Sequence, residues 1–266
     1  MDEHLILGGT GKTGRRIAER LRARNVPTRT AARHGADVRL DLGEPATWDA
    51  ALAGVTAAYL VEPDLRTVRL PAFVAAAASR GVGRLVLLSA PGAVHPRHPL
   101  FAVEAAVRDS GAGWTILRPG WFAQNFTETA WRDELRAGEL ALPAGDGRTA
   151  FVDARDIADV AVAALTSDRL HGAALELTGP RALSFGEAVE LIAAATGRAA
   201  RFVDIDAETY VTRAVAAGAP PAVARIMAGV FTALREGQDP GPQDGVRQAL
   251  GRPARPFEEY VAGLRG

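Results

Sequence analysis

Three glycines near the amino end of the chain have the spacing of a phosphate-binding turn. Gly8, Gly11 and Gly14 fit the pattern G-x-x-G-x-x-G, directly after an apolar run and before a segment with helical periodicity. There Gly8 permits a tight turn, Gly11 lets the backbone approach a pyrophosphate, and Gly14 lets helix and strand pack closely. The pyrophosphate would lie on free N–H groups at the helix start. The alternative is an ordinary strand-to-helix turn that is rich in glycine.

The residues around the lysine exclude a different nucleotide-binding loop. Gly11, Lys12 and Thr13 have the order that ends a Walker loop, but such a loop needs glycine where this chain has Ile6. A dinucleotide is therefore the expected ligand.

The end of the second predicted strand bears on which dinucleotide binds. Residues 29–34 contain no acid that could accept from a ribose 2′-OH, whereas Arg33 is placed to form a forked contact with a 2′-phosphate. This favours NADP(H) over NAD(H). The alternative is a solvated arginine, because 31 residues are Lys or Arg and Lys12 is the only lysine.

Strands and helices alternate through the first 120 residues. The predicted strands are 4–7, 26–32, 37–40, 57–61, 84–89 and 114–117, and the predicted helices are 13–24, 45–53, 70–80 and 99–110. This alternation is typical of βαβ units, and apolar strands such as LVLL suit a sheet covered on both faces. The sequence predicts an α/β fold, a Rossmann-type doubly wound parallel sheet.

The pattern becomes irregular after residue 120. We expect a helix at 127–137, a turn-rich segment at 138–150, a helix at 153–166 and a strand at 174–178, followed by a helix at 184–196 whose capping box is Ser184 and Glu187, a strand at 200–205, and then mainly helix and loop. The predicted division is an NAD(P)-binding core at 1–150 and a smaller substrate-side region at 151–266. The helix and strand within 151–180 are expected to complete the core.

Ligands of open α/β sheets bind outside the carboxyl ends of the strands. By this topology Asp41 and Leu42 would lie beside the adenine, and Pro63 and Ser89 are further candidate cofactor walls. Each of these residues could equally be a turn former.

Composition excludes several classes of protein. The 31 basic and 31 acidic residues cancel, which argues against broad nucleic-acid binding. The absence of cysteine excludes disulfides, thiolate nucleophiles and Cys-type zinc sites, and no His/Asp/Glu cluster has metal spacing. The segment MDEHLILGG lacks the cationic start of a signal peptide, and no membrane-length apolar stretch follows. We expect a soluble cytoplasmic protein whose partner is a small-molecule substrate.

A set of ordered motifs resembles one family. The chain is similar to NmrA-like atypical short-chain dehydrogenase/reductases, particularly the branch of ergot-alkaloid (agroclavine and festuclavine) dehydrogenases. The motifs are GGTGKTGRR, Arg33, DL at 41–42, LLSAPGA at 87–93, SGAGWTILRPGWFAQNF at 110–126, FVDARDIADVAVAAL at 151–165 and GRPARPFEEYV at 251–261.

The resemblance implies a Rossmann core that binds NAD(P), with substrate held between that core and the carboxy-terminal region. It implies that Arg33 binds the 2′-phosphate and that Ser89 and the loop from Pro119 to Phe122 flank the nicotinamide. A monomer or homodimer is expected. The residues implied for the pyrophosphate are Gly8, Thr10, Gly11, Lys12, Thr13 and Gly14.

The acid pair of typical short-chain dehydrogenases cannot form in this chain. That pair is Tyr-x-x-x-Lys, in which the lysine lowers the tyrosine pKa. Here the sole lysine is in the glycine loop, far in sequence from Tyr59, Tyr210 and Tyr260. A reductase would need another proton donor or an acceptor that needs none, such as an iminium or a quinone.

No catalytic residue is assigned from the sequence. The candidates are Ser89, His95, His98 and Asn125, although loop histidines between prolines are also typical of exposed surface. Ser89 is not in the G-x-S-x-G setting of a hydrolase nucleophile.

An aromatic segment and a late apolar helix are candidate substrate-pocket walls. Trp121, Phe122 and Asn125 follow the sixth predicted strand, and Met227 and Phe231 lie on the helix. The alternatives are core packing for the apolar residues and helix capping for Asn125.

The leading hypothesis is an NADPH-dependent reductase that delivers hydride to a small imine, iminium, quinone or enone acceptor. A dinucleotide-binding regulator or redox sensor without turnover is the alternative, since it would also lack the Tyr-Lys pair. An isomerase or dehydratase with a bound dinucleotide is the third.

Overall fold

The computed structural model describes residues 3–264. Four residues lie outside it: Met1, Asp2, Arg265 and Gly266. The first two begin the segment that is expected not to be a signal peptide. The strands are β1 (Glu3–Leu7), β2 (Thr28–Ala32), β3 (Val38–Arg39), β4 (Val55–Val61), β5 (Arg84–Leu88), β6 (Gly113–Pro119), β7 (Glu139–Leu142), β8 (Arg148–Thr149), β9 (Ala173–Leu177), β10 (Leu183–Ser184) and β11 (Arg201–Asp204).

The helices alternate with the strands through most of the chain. They are α1 (Lys12–Ala23), α2 (Trp48–Leu52), α3 (Leu70–Ser79), α4 (Phe101–Arg108), α5 (Asn125–Glu128), α6 (Trp131–Arg136), α7 (Ala154–Thr166), α8 (Phe185–Thr196), α9 (Ala207–Ala216), α10 (Pro221–Arg235), α11 (Gly245–Leu250) and α12 (Phe257–Ala262), with 3-10 turns at Pro45–Thr47 and Asp168–Leu170.

The main sheet has the order β3-β2-β1-β4-β5-β6-β9, and its neighbouring strands are parallel. The chain moves outward from β1 to β3, crosses back to β4 and then continues to the other edge. The reversal lies between β1 and β4, where such sheets bind ligands. The predicted Rossmann-type doubly wound sheet is confirmed.

Both faces of this sheet are covered. Leu5 and Leu7 of β1 belong to a buried apolar cluster with Phe73 of α3 and Val103 of α4. His4 points to the opposite face, where its Nε2 lies 3.2 Å from the carbonyl oxygen of Leu165 in α7. The period-two alternation along β1 therefore separates two helical layers.

The chain divides into two compact units. Of the described residues, the first contains 3–120, 154–177 and 244–253, and the second contains 121–153, 178–243 and 254–264. The helix and strand expected to complete the core, α7 and β9, lie in the first unit. Residues 121–150, which the sequence analysis grouped with the core, lie in the second.

The second unit is built on two small strand pairs and an aromatic cluster. β7 pairs in parallel with β11, and β8 pairs antiparallel with β10. The predicted capping box at the start of α8 is confirmed, because the Ser184 side chain accepts from the Glu187 N–H and the Glu187 side chain accepts from the Ser184 N–H. Phe185, the first residue of α8, is wholly buried among the aromatic rings.

Three local predictions from the sequence were wrong. The helix expected at 127–137 is two short helices, because Thr129 has extended backbone angles that interrupt it. The segment 138–150 holds β7 and β8, whose partners lie far along the chain and leave no local signal. The strand expected at 37–40 is only Val38–Arg39. Within residues 3–264 no helix has the length and apolarity required to cross a membrane.

Candidate dinucleotide site

The glycine turn after β1 packs directly on the first turn of α1. Gly8 has a φ of +63°, a conformation that L side chains rarely adopt, and its carbonyl accepts from the Gly11 N–H at 2.8 Å. A Cβ added to Gly14 would lie 2.2 Å from the Gly8 carbonyl oxygen. The turn therefore has room only for glycine at these two positions.

The start of α1 has the polarity that an anion requires. The helix begins at Lys12 after Gly11, which has no side chain to cap the first N–H groups, and its first turn contains no acidic residue. These N–H groups and the positive end of the helix dipole can therefore bind a phosphate.

A buried tyrosine forms a hydrogen bond to the first turn of α1. The Tyr59 hydroxyl, wholly buried in β4, donates to Thr13 Oγ1 at 2.9 Å. Burial raises the pKa of Tyr59 well above its ordinary value. Tyr59 is therefore a structural hydrogen-bond donor at neutral pH. Because Thr13 accepts from Tyr59, its own hydroxyl proton can be donated to another acceptor.

A cleft of about 640 Å³ in the first unit brings seven of the predicted cofactor residues together. They are Gly8, Thr10, Gly11, Arg33, Asp41, Leu42 and Pro63. His34, Glu62, Asp64, Arg66 and Arg69 contribute further polar groups to its walls. This volume lies within the range of small-molecule and cofactor sites.

Arg33, the residue predicted to bind the 2′-phosphate, lines this cleft in a turn that Asp37 stabilises. Asp37 Oδ2 accepts from the Thr30 N–H and hydroxyl, both at 2.8 Å, and from Arg22 at 2.6 Å. The backbone hydrogen bond from Thr30 is the main cause of a lowered pKa of Asp37. These contacts fix the turn that contains Arg33. Arg33 is exposed, and no residue described at 3–264 forms an ion pair with it.

Glu62 is a cleft residue that the sequence analysis did not single out. Its Oε2 accepts from the N–H groups of Arg69 and Leu70, each at 2.8 Å, at the start of α3. A carboxylate at a helix N-terminus satisfies its unpaired donors and favours its dipole. Glu62 therefore fixes the β4–α3 connection that forms one wall of the cleft.

Ser89 lies at the carboxyl edge of the sheet, directly after β5. Its N–H donates to the Leu117 carbonyl of β6 at 2.7 Å, and its hydroxyl donates to Glu104 Oε1 at 2.6 Å. Glu104 is fully buried in α4 and also accepts from Arg118 Nε at 2.9 Å and Arg118 Nη2 at 2.7 Å. Ser89 is thus the outer member of a buried ionic network.

Glu104 and Arg118 were not predicted from the sequence, although one signal was present. Leu100, Val103 and Val107 mark the buried face of α4, and Glu104 falls within that face. A carboxylate at a core position requires a partner, which could have led to Arg118.

The two candidate histidines differ in their surroundings. His95 is exposed in the loop after β5. His98 is half-buried, and its Nδ1 accepts from the Leu100 N–H at 3.1 Å. Burial lowers the pKa of His98 and so favours the neutral ring, in which the bond accepted by Nδ1 leaves the proton on Nε2. It can donate a hydrogen bond, but it is a poor proton source.

The predicted substrate-pocket residues lie in the second unit. Trp121 stacks on Trp131 and on Phe231 with ring centroids 5.7 and 5.1 Å apart. Phe231 is wholly buried, and Met227 packs against the same cluster. Their role as pocket walls stays a prediction.

Three further predicted residues, at 119–125, have local backbone roles. Phe122 forms a bridge with Val152. Asn125 is the first residue of α5, whose N-cap position is Gln124. Pro119 ends β6.

The other tyrosines also lie in the second unit. Tyr260 Oη is 2.8 Å from Thr127 Oγ1, and Tyr210 packs edge-on against Phe231. Burial raises the pKa of Tyr210. Over residues 3–264, no group of three or more His, Cys, Asp or Glu side chains is arranged to hold a metal ion.

Comparisons with known proteins give a family match and relatives over nearly the whole chain. Residues 8–168 match the model of a family described as NAD(P)H-binding. The NAD(P)H azoreductase of Xenophilus azovorans is 34% identical over 97% of this chain and 96% of its own length. A (4-alkanoyl-5-oxo-2,5-dihydrofuran-3-yl)methyl phosphate reductase of Streptomyces griseus is 36% identical over 97% and 96%.

Solved structures show the same fold. The NADPH-dependent quinone oxidoreductase of Escherichia coli, in complex with NADPH, has a TM-score of 0.82 at 21% identity and covers 99% of this chain and 100% of its own. The Citrobacter triphenylmethane reductase also has a TM-score of 0.82, at 22% identity over 100% of this chain and 99% of its own.

The resemblance seen in the motifs is confirmed by two further matches. Agroclavine dehydrogenase of Claviceps fusiformis is 28% identical over 97% of this chain and 96% of its own length. A mutant NmrA has a TM-score of 0.74 at 18% identity, covering 99% of this chain and 95% of its own.

Proposed function

The chain belongs to the NAD(P)H-binding family and is an NAD(P)-dependent oxidoreductase, and from this premise we propose that it is an NADPH-dependent reductase of small organic electrophiles. The proposed acceptors are imines, iminium ions, quinones and enones. The observation that carries this proposal is the cleft that brings the glycine turn and Arg33 together, in a chain that is similar over nearly its whole length to named NAD(P)H-dependent reductases. The lack of a Tyr-Lys pair bears on which acceptors are reduced.

The residues of the cleft fit a dinucleotide. The close approach of Gly14 to Gly8, and a helix start with neither a side-chain cap nor an acid in its first turn, suit the pyrophosphate. Thr13 has a hydroxyl proton to donate because Tyr59 supplies the bond that Thr13 accepts.

The preference for NADPH rests on Arg33. Arg33 lines the cleft and forms no ion pair among the residues at 3–264, while Asp37 is occupied by Thr30 and Arg22. A 2′-phosphate offers Arg33 a charge-assisted, forked contact that NADH lacks.

The choice of acceptor rests on the groups near the carboxyl edge. Tyr59 donates to Thr13, the Ser89 proton is directed to Glu104, and His98 Nδ1 accepts from the Leu100 N–H. None of these three groups is suited to give up a proton at the moment of hydride transfer. When bound, NADPH supplies a hydride, and an iminium carbon can take it while the C=N electron pair passes to nitrogen, so no proton is needed in that step. A quinone can take hydride and be protonated by water.

The test is to titrate the protein with NADPH and NADH and then follow absorbance at 340 nm with imines, iminium salts and quinones. We expect tighter binding of NADPH and its oxidation by at least one acceptor class. Tight NADPH binding without oxidation by any of these acceptors would instead support the regulator or sensor.

A further inference from the structure

The buried network behind Ser89 controls which way its hydroxyl points. A serine hydroxyl has one proton and two lone pairs. In this structure the proton is directed to Glu104 Oε1 at 2.6 Å. The lone pairs of Ser89 Oγ are therefore the part of the hydroxyl that remains to interact with a ligand at the carboxyl edge.

Glu104 cannot easily turn away from the Ser89 hydroxyl. Its two carboxylate oxygens accept four hydrogen bonds, one from Ser89, two from Arg118 and one from Arg108 Nη2 at 2.7 Å. Arg118 is in turn held on its other side by Glu176 Oε1 at 3.2 Å. The network joins α4, β6 and β9 and fixes the carboxylate from several directions.

Ser89 and Arg33, the residue predicted to bind the 2′-phosphate, lie on opposite halves of the sheet. Arg33 follows β2, while Ser89 follows β5, on the other side of the reversal between β1 and β4. A dinucleotide bound across that crevice with its adenosine half near Arg33 extends its nicotinamide half toward β5. The carboxamide of nicotinamide carries N–H donors, which are complementary to an acceptor oxygen.

We propose that Glu104 is a positioning residue that holds the Ser89 hydroxyl as a hydrogen-bond acceptor for the nicotinamide carboxamide N–H. This inference rests on the proposed NADPH function. It assigns Ser89 to orientation of the cofactor and removes it from proton donation to substrate. Glu104 acts through Ser89 and touches neither cofactor nor substrate.

The experiment compares NADPH with its 3-acetylpyridine analogue, in which a methyl ketone replaces the carboxamide and no N–H donor remains. Dissociation constants are measured by calorimetry, and kcat/KM is measured with one acceptor. The wild-type protein should bind NADPH about tenfold more tightly than the analogue, the effect of one hydrogen bond. Ser89→Ala should bind both with equal affinity. Ser89→Thr, which keeps a hydroxyl, should retain the preference.

Glu104 is tested with a variant chosen to fold. Glu104→Asp keeps the negative charge beside Arg118 but shortens its reach by one methylene, so Ser89 loses its acceptor and the preference should fall toward that of Ser89→Ala. Glu104→Gln is the second variant. Arg108→Gln is the matched control, because it removes a bond to Glu104 Oε2 and leaves Ser89 on Oε1. It should keep the wild-type preference.

Two results would overturn the inference. One is a preference for NADPH over the analogue that persists in Ser89→Ala; the other is a folded Glu104→Asp protein that discriminates like the wild type. The dissociation constants distinguish failure of this inference from failure of the proposed function. A protein that binds NADPH but never oxidises it still shows, in these constants, whether it prefers NADPH over the analogue. A wild-type protein that binds neither dinucleotide would contradict both proposals.

Discussion

Two hydroxyl groups in the first unit have opposite hydrogen-bonding roles. Near the glycine turn, Thr13 accepts from the buried Tyr59 and keeps its own proton for donation. At the end of β5, the Ser89 hydroxyl donates a hydrogen bond to the buried Glu104, and its lone pairs remain able to accept one. The first arrangement suits an anion and the second suits an N–H group. A hydroxyl's buried partner therefore determines what else that hydroxyl can recognise.

The largest expected effect comes from crowding the glycine turn. Gly14→Ala places a Cβ 2.2 Å from the Gly8 carbonyl oxygen, so the turn must move. We expect NADPH binding at least 100-fold weaker, about 2.7 kcal/mol, measured by calorimetry. Gly229→Ala is the control, because a Cβ there, within α10, meets nothing within 4 Å. Equal loss in both variants would show that the turn geometry is not the cause.

The ionic partner of Ser89 should make the protein sensitive to acid. Burial alone would raise the pKa of Glu104, but hydrogen bonds from Arg118, Ser89 and Arg108 outweigh it and lower the pKa from 4.5 to about 2. A lowered pKa contributes stability that is present above the unfolded-state pKa near 4.5 and is lost as pH falls toward 2. The loss is about 3 kcal/mol.

Urea unfolding between pH 6 and 2.5 measures this loss, and an NMR titration of the Glu104 carboxyl identifies its source. A titration midpoint near 4.5 would contradict the network as described. The Tyr59–Thr13 pair has no group that titrates in this range, so Tyr59→Phe should leave the acid profile unchanged.

Removing the predicted 2′-phosphate ligand should change cofactor preference. Arg33→Ala is expected to weaken NADPH binding by about tenfold to a hundredfold and to leave NADH binding unchanged, because it removes a charge-assisted contact. Arg24→Ala is the matched control, since Arg24 is an exposed arginine at the end of α1. If Arg33→Ala and the wild type bind both cofactors alike, the assignment of NADP is wrong.

The smallest effect on NADPH binding should come from loss of the hydrogen bond between Tyr59 and Thr13. Tyr59→Phe removes the donor to Thr13 and lets the Thr13 hydroxyl rotate, so NADPH binding should weaken by about threefold to fivefold, within the range of one neutral hydrogen bond. Thr13→Val should weaken binding as much or more, and adding Tyr59→Phe to it should change little. Additive losses in the double variant would show that Tyr59 acts independently of Thr13.

The sequence predicted those parts of the molecule that depend on local pattern. The glycine spacing, the βαβ alternation and the capping box at Ser184 all lie within short windows, and the predicted fold class is confirmed. Glu104 and Arg118 are 14 residues apart, and Arg118 and Glu176 are 58 apart. Such contacts exist only after α4, β6 and β9 have packed together.

The same limit applies to the pairing of short strands. β7 was missed because its partner β11 follows about sixty residues later in the chain, with α7 and α8 between them. Propensity within 138–150 therefore indicated turns, whereas pairing across the second unit decides the structure.

The central claim is that this protein transfers hydride from NADPH without a proton from the protein. It is tested by single-turnover oxidation of NADPH at 340 nm with an iminium salt between pH 6 and 9, using NADPH deuterated at nicotinamide C4 on each face in turn. We predict a primary isotope effect for one face and a hydride-transfer rate that does not change with pH. A rate that follows the ionisation of one protein group, or no oxidation by any acceptor, would contradict the account.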